Sequence, residues 1–252
     1  MKYQLIILLI GFLFLTSINI SAQQKNTIPF PKVGIDIGTS DSPEDVSVTL
    51  QILLLMTILT LAPSIIIMTT SYLRIIIALN FLRNALGTMQ MPPNQLLAGV
   101  AMFVTVFIMA PTINKINDNA LQPYLDGKIA LDSAGTNAIG PLREFMMKHA
   151  REEDLALFIS FAEMKKPESR DDLPTYILIP AFVISELRAG FIIGFFLFIP
   201  FLMIDMIVSS ILMSMGMMMI PPMMVALPFK ILLFVLVDGW NLVIGSLVRS
   251  FA

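Results

Sequence analysis

Between Ile204 and Gly239 the chain reads IDMIVSSILMSMGMMMIPPMMVALPFKILLFVLVDG, two apolar arms joined by a Gly216-Met-Met-Met-Ile-Pro-Pro222 turn. Charges stand only near its ends, at Asp205, Lys230 and Asp238. The first arm, Met206 to Met215, is too short to cross a bilayer, which takes a helix of about 20 residues. Pro221 and Pro222 have no N–H and stop a helix that reaches them. Backbone broken at membrane depth is tolerated only where protein buries it or it lines a cavity, so this hairpin is expected to face an interior. Its tip presents Met217, Met218 and Met219, flexible thioethers that adapt to what they touch. Methionine clusters are ordinarily adaptable core filling, but a broken tip between short arms is poor core material and suits a constriction.

The composition sets the class. Hydrophobic residues make up 56% of the 252 and charged ones 13%, against about 25% charged in ordinary soluble domains. Such a chain is an integral membrane protein or a subunit almost wholly buried in a larger assembly. A formal charge of -2 gives no electrostatic case for nucleic acid. The absence of Cys excludes disulfides, thiolate chemistry and zinc–cysteine sites, and His149 as the single His excludes a multi-His metal site. No cofactor or metal is expected.

Taken in order, residues 1–22 read as a cleavable signal peptide: Met1-Lys2, an apolar run from Leu5 to Leu15, then Ser21-Ala22-Gln23. Residues 23–45 form a polar lead-in. Its Val33-Gly-Ile-Asp-Ile-Gly-Thr-Ser40 run is similar to a phosphate loop but lacks the α/β surroundings such a loop needs. Residues 46–112 are expected as a first apolar helical hairpin: Val46 to Leu73 kinked at Pro63, a loop around Gly87 and Pro92-Pro93, and a return ending at Pro111. Residues 113–172 are a polar helical insert. Thr112 to Asp172 holds eight Lys/Arg against eleven Asp/Glu. Gly140-Pro141 is expected to open a helix that places Leu142, Phe145, Met146 and His149 on one face. A second helix follows, with Leu155 and Phe158 on a shared face. Residues 173–252 form a second apolar region that contains the Met-rich re-entrant hairpin.

Glu186 and Arg188 lie two apart within an apolar segment and so point away from each other on a helix. Each needs a partner elsewhere or access to water, because charges in apolar segments are costly and face interiors or partners. Lys230 is set between Leu227-Pro-Phe229 and Ile231-Leu-Leu-Phe234, and Asp205 on the other arm is its natural partner. The plainer alternative, snorkelling to an interface, would serve Arg74, Arg83 and Arg249 but suits Lys230 poorly.

Several runs carry a resemblance: Arg83-Asn-Ala-Leu-Gly87 with Pro92-Pro-Asn-Gln95, Pro141-Leu-Arg143 through Leu155-Ala-Leu-Phe158, and Ile179-Pro-Ala181. Further on come Ser185-Glu-Leu187, Phe198-Ile-Pro-Phe-Leu202, Gly216-Met-Met-Met219 with Pro221-Pro222, and Leu227-Pro-Phe-Lys230 to Gly239-Trp240. In these the chain resembles the FliP/SctR family of type III secretion export-gate proteins, from about residue 46 to the C-terminus. The resemblance implies an all-α fold of membrane-type helical hairpins with a helical insert, assembling as a helical oligomeric pore of about five copies with FliQ and FliR subunits. It implies a location in the bacterial inner membrane and flagellar basal body, with residues 113–172 periplasmic. It implies that Met217, Met218 and Met219 form a gasket, with Gly216, Pro221 and Pro222 making the turn. Glu186, Arg188, Asp205, Lys230 and Asp238 would be buried charges that serve assembly, and Phe145 and Phe158 would pack subunits together. Other export-apparatus and basal-body proteins would be partners, with unfolded rod, hook and filament proteins passing through.

Four other readings compete. One is the related subunit of a virulence injectisome, whose members generally lack a signal peptide. A small-solute transporter with broken helices fits Gly216 to Pro222, but no inverted second copy of the hairpin is visible. A membrane scaffold would tolerate any apolar residue at Met217 to Met219. An enzyme is the weakest reading, since no catalytic constellation appears.

Overall fold

The computed structural model describes residues 43–251 except 89, 165–168, 170, 171 and 218. The signal peptide, most of the lead-in and its phosphate-loop-like run, and Met218 of the tip lie outside the described residues. The chain divides between Ile52 and Leu53 into two units. Of the first, only the start of one helix is described.

All regular structure among the described residues is helical. Helix α1, Pro43–Thr69, runs through Pro63, and its apolar side chains from Leu53 to Met68 are mostly exposed. It stops at a Thr69-Thr70-Ser71 turn, where the two threonine hydroxyls donate back to Ile65 O and Ile66 O. Helix α2, Tyr72–Leu86, follows at once. Ile75, Ala78, Leu79, Leu82 and Leu86 recur at helical spacing and are all buried. Helix α3, Asn94–Ile116, begins after Pro93, which sits in the extended conformation a helix start accepts. It runs through Pro111, past the end expected there, into a π turn at Asn117–Leu121 and a last short turn, α4, Gln122–Leu125.

Helix α5, Leu131–His149, also differs from expectation: Pro141 lies inside it. Pro141 forfeits one hydrogen bond to the preceding turn but is itself buried, in a helix that packs on α3 and α7. Helix α6, Glu152–Phe161, carries Glu152, Glu153 and Asp154 in its first turn, where they suit the positive end of the helix dipole.

Helix α7, Thr175–Ser214, is the longest element at 40 residues, about 60 Å of axis. The short first arm of the hairpin is therefore its final stretch and not a separate piece. Neither Pro180 nor Pro200 breaks it. In apolar surroundings a freed backbone group finds no water, so continuing the helix is the least costly course. Helices α8, Pro222–Leu236, and α9, Gly239–Arg249, complete the chain and are bent by 63° at Asp238. Three helical stretches, Leu50–Thr69, Asn94–Leu125 and Thr175–Ser214, are long and apolar enough to cross a membrane, and α8 with α9 makes up to a fourth.

The main core has α2 at its centre. Ile75, Ala78, Leu79 and Leu82 meet Leu97 and Ala101 of α3, Phe201 of α7, Phe234 of α8 and Val243 and Leu247 of α9. Close approach of α2 and α7 depends on Gly190 and Gly194. A Cβ at Gly194 would stand 2.5 Å from the Phe81 ring, and one at Gly190 would stand 3.1 Å from Ile77 and 3.3 Å from Arg74 O. A second core joins the insert to the first half of α7 through Met146, Leu155, Leu173, Ile177, Leu178, Ala181 and Phe182. Burying a side chain such as Phe182 completely contributes about 1.5–3 kcal/mol. A third, small cluster of Val208, Leu212 and Ala226 zips the end of α7 to α8.

Candidate functional site

The last turn of α7 ends in a Schellman arrangement. Met217 N–H donates to Leu212 O at 3.0 Å and Gly216 N–H to Met213 O at 3.1 Å, with Gly216 at φ +74°. Only glycine takes that φ without strain, so Gly216 is what lets the chain reverse directly after a long apolar helix. Pro221 is extended and Pro222 begins α8 with its φ already set for a helix. Helix end, cap and helix start are thus fixed by three residues, and the methionines form the tip between them. Met219 is 98% exposed and Met217 43%. Met219 thus stands almost uncovered by its own chain, and Met217 partly so.

Beneath the tip, the arms are locked by charge. Lys230 Nζ donates to Asp205 Oδ2 at 2.6 Å and to Ala85 O at 3.0 Å. The lysine side chain is 3% exposed and that of Asp205 27%. Ala85 is in the last turn of α2, so the ammonium also meets carbonyls that the helix leaves without partners and sits at the negative end of its dipole. One side chain therefore ties α8 to α7 and α2. The sequence pairing of Asp205 with Lys230 and the observed geometry coincide, while the bond to Ala85 O is additional.

Glu186 lies fully buried, and its partner is Arg74. The guanidinium grips the carboxylate with two bonds, Nε to Oε2 at 2.9 Å and a shorter one from its terminal nitrogen to Oε1. Its remaining nitrogen donates to Ser250 O at 2.8 Å and Ser250 Oγ at 3.0 Å, and the group stacks 3.7 Å from the Phe251 ring centre. Arg74 does not snorkel. At 6% exposure it is an internal clamp that holds α7 and the end of the chain against α2. Arg83 and Arg249 instead bond locally, to Asn80 and Asn94 and to Gly245 O respectively.

Arg188 and Asp238, expected as buried charges, are exposed in the single chain. Two positions beyond Glu186, Arg188 turns to the opposite side of α7 and reaches Glu153 of α6, at 3.5 Å. Asp238 stands at the bend between α8 and α9 at φ +49° and accepts from Asn241 at 3.1 Å. Phe145 and Phe158, expected between subunits, pack largely inside their own chain. Phe145 lies against Phe182, Phe251 and the His149 ring, and Phe158 against Phe161 and the second core.

His149 ends α5. Its Nδ1–H donates to Phe145 O at 2.8 Å, and its ring lies 5.2 Å from that of Phe251. Burial holds its pKa below the usual histidine range; the bond to Phe145 O opposes this, and Arg74 and Lys148 add to it. Ser185, beside Glu186, accepts from Arg151 N–H at 2.9 Å and donates to buried Asp154 at 2.7 Å, fastening α6 to α7. Sequence reading missed Asp154, Ser185, Gly190 and Gly194. Only the glycines left a signal, since Gly190-Phe-Ile-Ile-Gly194 is the G-x-x-x-G spacing that lets apolar helices meet closely. No cluster of His, Asp or Glu able to hold a metal is present among the described residues.

The chain is similar to known proteins along most of its length. The model of the FliP family matches residues 55–247. The flagellar biosynthetic protein FliP of Bacillus subtilis is 58% identical over 217 residues, 86% of this chain and 98% of the relative. Its namesake in Caulobacter vibrioides is 49% identical over 87% of this chain and 82% of its own. That of Treponema pallidum is 44% identical over 94% and 87%. Matches of this extent take in the capped hairpin, both buried charge pairs and the insert alike, and the chain belongs to the FliP family.

Proposed function

We propose that the chain is a core subunit of the flagellar type III export gate, the channel through which unfolded rod, hook and filament proteins leave the cell. On this reading about five copies assemble with FliQ and FliR in the inner membrane, inside the basal body, with residues 113–172 on the periplasmic side. The flagellar naming of its relatives favours this branch over the virulence injectisome. No catalytic, cofactor or metal role is assigned to any residue.

The observation that carries the reading is the tip of the α7–α8 hairpin. It exposes Met219 almost completely on a turn whose two sides are rigidly capped. Rigid arms fix where the tip stands, while unbranched thioether side chains remain free to rearrange. A ring of such tips around an axis makes an apolar constriction that excludes water at rest, yet deforms around a passing chain. Aromatic or charged side chains in that place would discriminate between segments of different chemistry.

The test is to replace Met217, Met218 and Met219 with Ala or Gly and measure the permeability of gate-containing membranes to small ions. A rise in leak, with the gate still assembled, is expected. Unchanged permeability in an assembled gate would remove the sealing role.

A further inference from the structure

His149 is the single imidazole of the chain, and histidine is the one side chain that ordinarily changes charge near neutral pH. It is the last residue of α5 and half-buried. Its ring lies 4.6 Å from that of Phe145 and 5.2 Å from that of Phe251. Phe251 is 7% exposed, stacks at 6.1 Å on Phe145 and meets the Arg74 guanidinium at 3.7 Å. The end of the chain is therefore pinned by the polar insert and by α2 together, with a titratable ring in the contact.

The charges around that ring are unevenly matched. Lys115 of α3 and Lys148 of α5 share a cavity of about 200 Å³ with it, lined also by Phe145, Phe251 and Glu144. Arg74 of α2 adds a third cation. The carboxylates of this junction are already engaged, Glu186 of α7 by Arg74 and Glu144 of α5 by Lys115 at 2.7 Å. Arg249 of α9 turns away to Gly245 O. An imidazolium would join three cations with no free acid to meet it. Burial favours the neutral ring as well, and hydrogen bonding to the Phe145 and Phe251 carbonyls offsets this only in part. The cavity gives water, and with it a proton, a path to the ring.

We propose that the contact of His149 with Phe251 is a proton-operated latch, which holds the end of the chain against the insert while the imidazole is neutral and releases it on protonation. Ser250 and Phe251 also hold Arg74, so release loosens the join between the insert and the apolar helices. The latch works within one chain and stands apart from the sealing role of the hairpin tip. Its sign follows from linkage. The closed form binds the proton less readily than the open one. The latch is fully shut above the open-form pKa of about 6.5 and gives way as pH falls through it toward the lower closed-form value.

The experiment follows amide hydrogen exchange in the full-length protein, in native membranes and after extraction in detergent, with the intrinsic rate at each pH divided out. The reporter is the peptide holding Ser250 and Phe251, whose N–H groups donate to Ser246 O at 3.0 Å and Val248 O at 3.1 Å. Below about pH 6.5 its protection is expected to fall by up to about tenfold per pH unit, while the core peptide from Ile75 to Leu82 stays protected. Because the chain has one His, a single imidazole resonance reads its titration, with a midpoint expected below about 6.5. His149→Gln, which keeps a neutral donor for Phe145 O, should hold the chain end through the same range. A chain end whose protection does not change with pH would overturn the proposal. So would an equal loss in His149→Gln, a midpoint at or above that of free histidine, or loss in the core in step with the chain end.

Discussion

Arg74 concentrates more of the fold in one side chain than any other residue. Its guanidinium joins Glu186 from 112 positions away, Ser250 from 176, and the face of Phe251. Removing one partner of a buried ion pair strands the other, at about 3–5 kcal/mol. Arg74→Ala and Glu186→Ala are therefore each expected to lower the unfolding midpoint of the detergent-solubilised chain severely. The double variant Arg74→Met with Glu186→Met should recover much of the loss, since no unpaired charge remains. A double variant as unstable as the sum of the singles would show that the hydrogen bonds to Ser250, and not the charge pairing, carry the effect. Next to this clamp, His149 gives a pH dependence whose sign can be worked out. Its folded pKa is lowered by burial, below an unfolded value of about 6.5. The unfolded chain then binds the proton more readily. Stability is fully present above the unfolded pKa and falls as pH drops through it toward the folded value. Unfolding midpoints measured downward from neutral pH should decline in the parent chain more steeply than in His149→Gln.

At the scale of elements, α7 is the axis of the molecule, and its contact with α2 depends on two missing side chains. Gly194→Ala places a Cβ 2.5 Å from the Phe81 ring, and overpacking of this kind costs about 1–3 kcal/mol. Gly99 of α3 has nothing within 4 Å of where its Cβ would be. Gly99→Ala should accordingly be neutral or stabilise by about 0.5–1 kcal/mol, because Ala restricts the unfolded chain. Thermal midpoints of the two variants separate a packing requirement from a general dislike of substitution in apolar helices. The sequence showed part of this level and hid part. The helical class, the turn at Gly216 to Pro222 and the Asp205–Lys230 pair follow from apolar run lengths, proline chemistry and the cost of burying charge. The continuity of α7 did not follow. Met206 to Met215 read as a separate short arm beyond Asp205, yet the aspartate finds Lys230 and the helix runs on through Pro200 at the loss of a single hydrogen bond. Partners for Glu186 were equally hidden, since nothing local selects Arg74 over Arg83 or Arg249. Gly190 and Gly194 carried a readable spacing whose meaning depends on which helix lies opposite.

At the scale of the whole molecule, the outstanding fact is apolar surface with no cover from its own chain. Phe103 and Phe107 of α3 are 80% and 69% exposed, and Phe195 and Phe196 of α7 are 61% and 67%. Single soluble chains rarely expose contiguous apolar patches beyond a few hundred Å², so lipid or other subunits must cover these faces. The two covers answer differently to one substitution. A charge at the centre of a lipid-facing helix costs about 2.5–3.5 kcal/mol of insertion, so Phe103→Lys on a lipid-facing α3 depletes the chain from the membrane. On a subunit-facing α3 the chain still inserts, because α2 and α7 make their own contacts elsewhere, but the buried interface is left with an unpaired ammonium. The assembly proposed here predicts the second result. Phe103→Lys should reach normal amounts in the membrane, yet run in native electrophoresis as a species smaller than the parent complex. Depletion from the membrane with any surviving complexes of normal size would instead place α3 against lipid, and the subunit contacts would have to lie on the outer faces of α1 and α7.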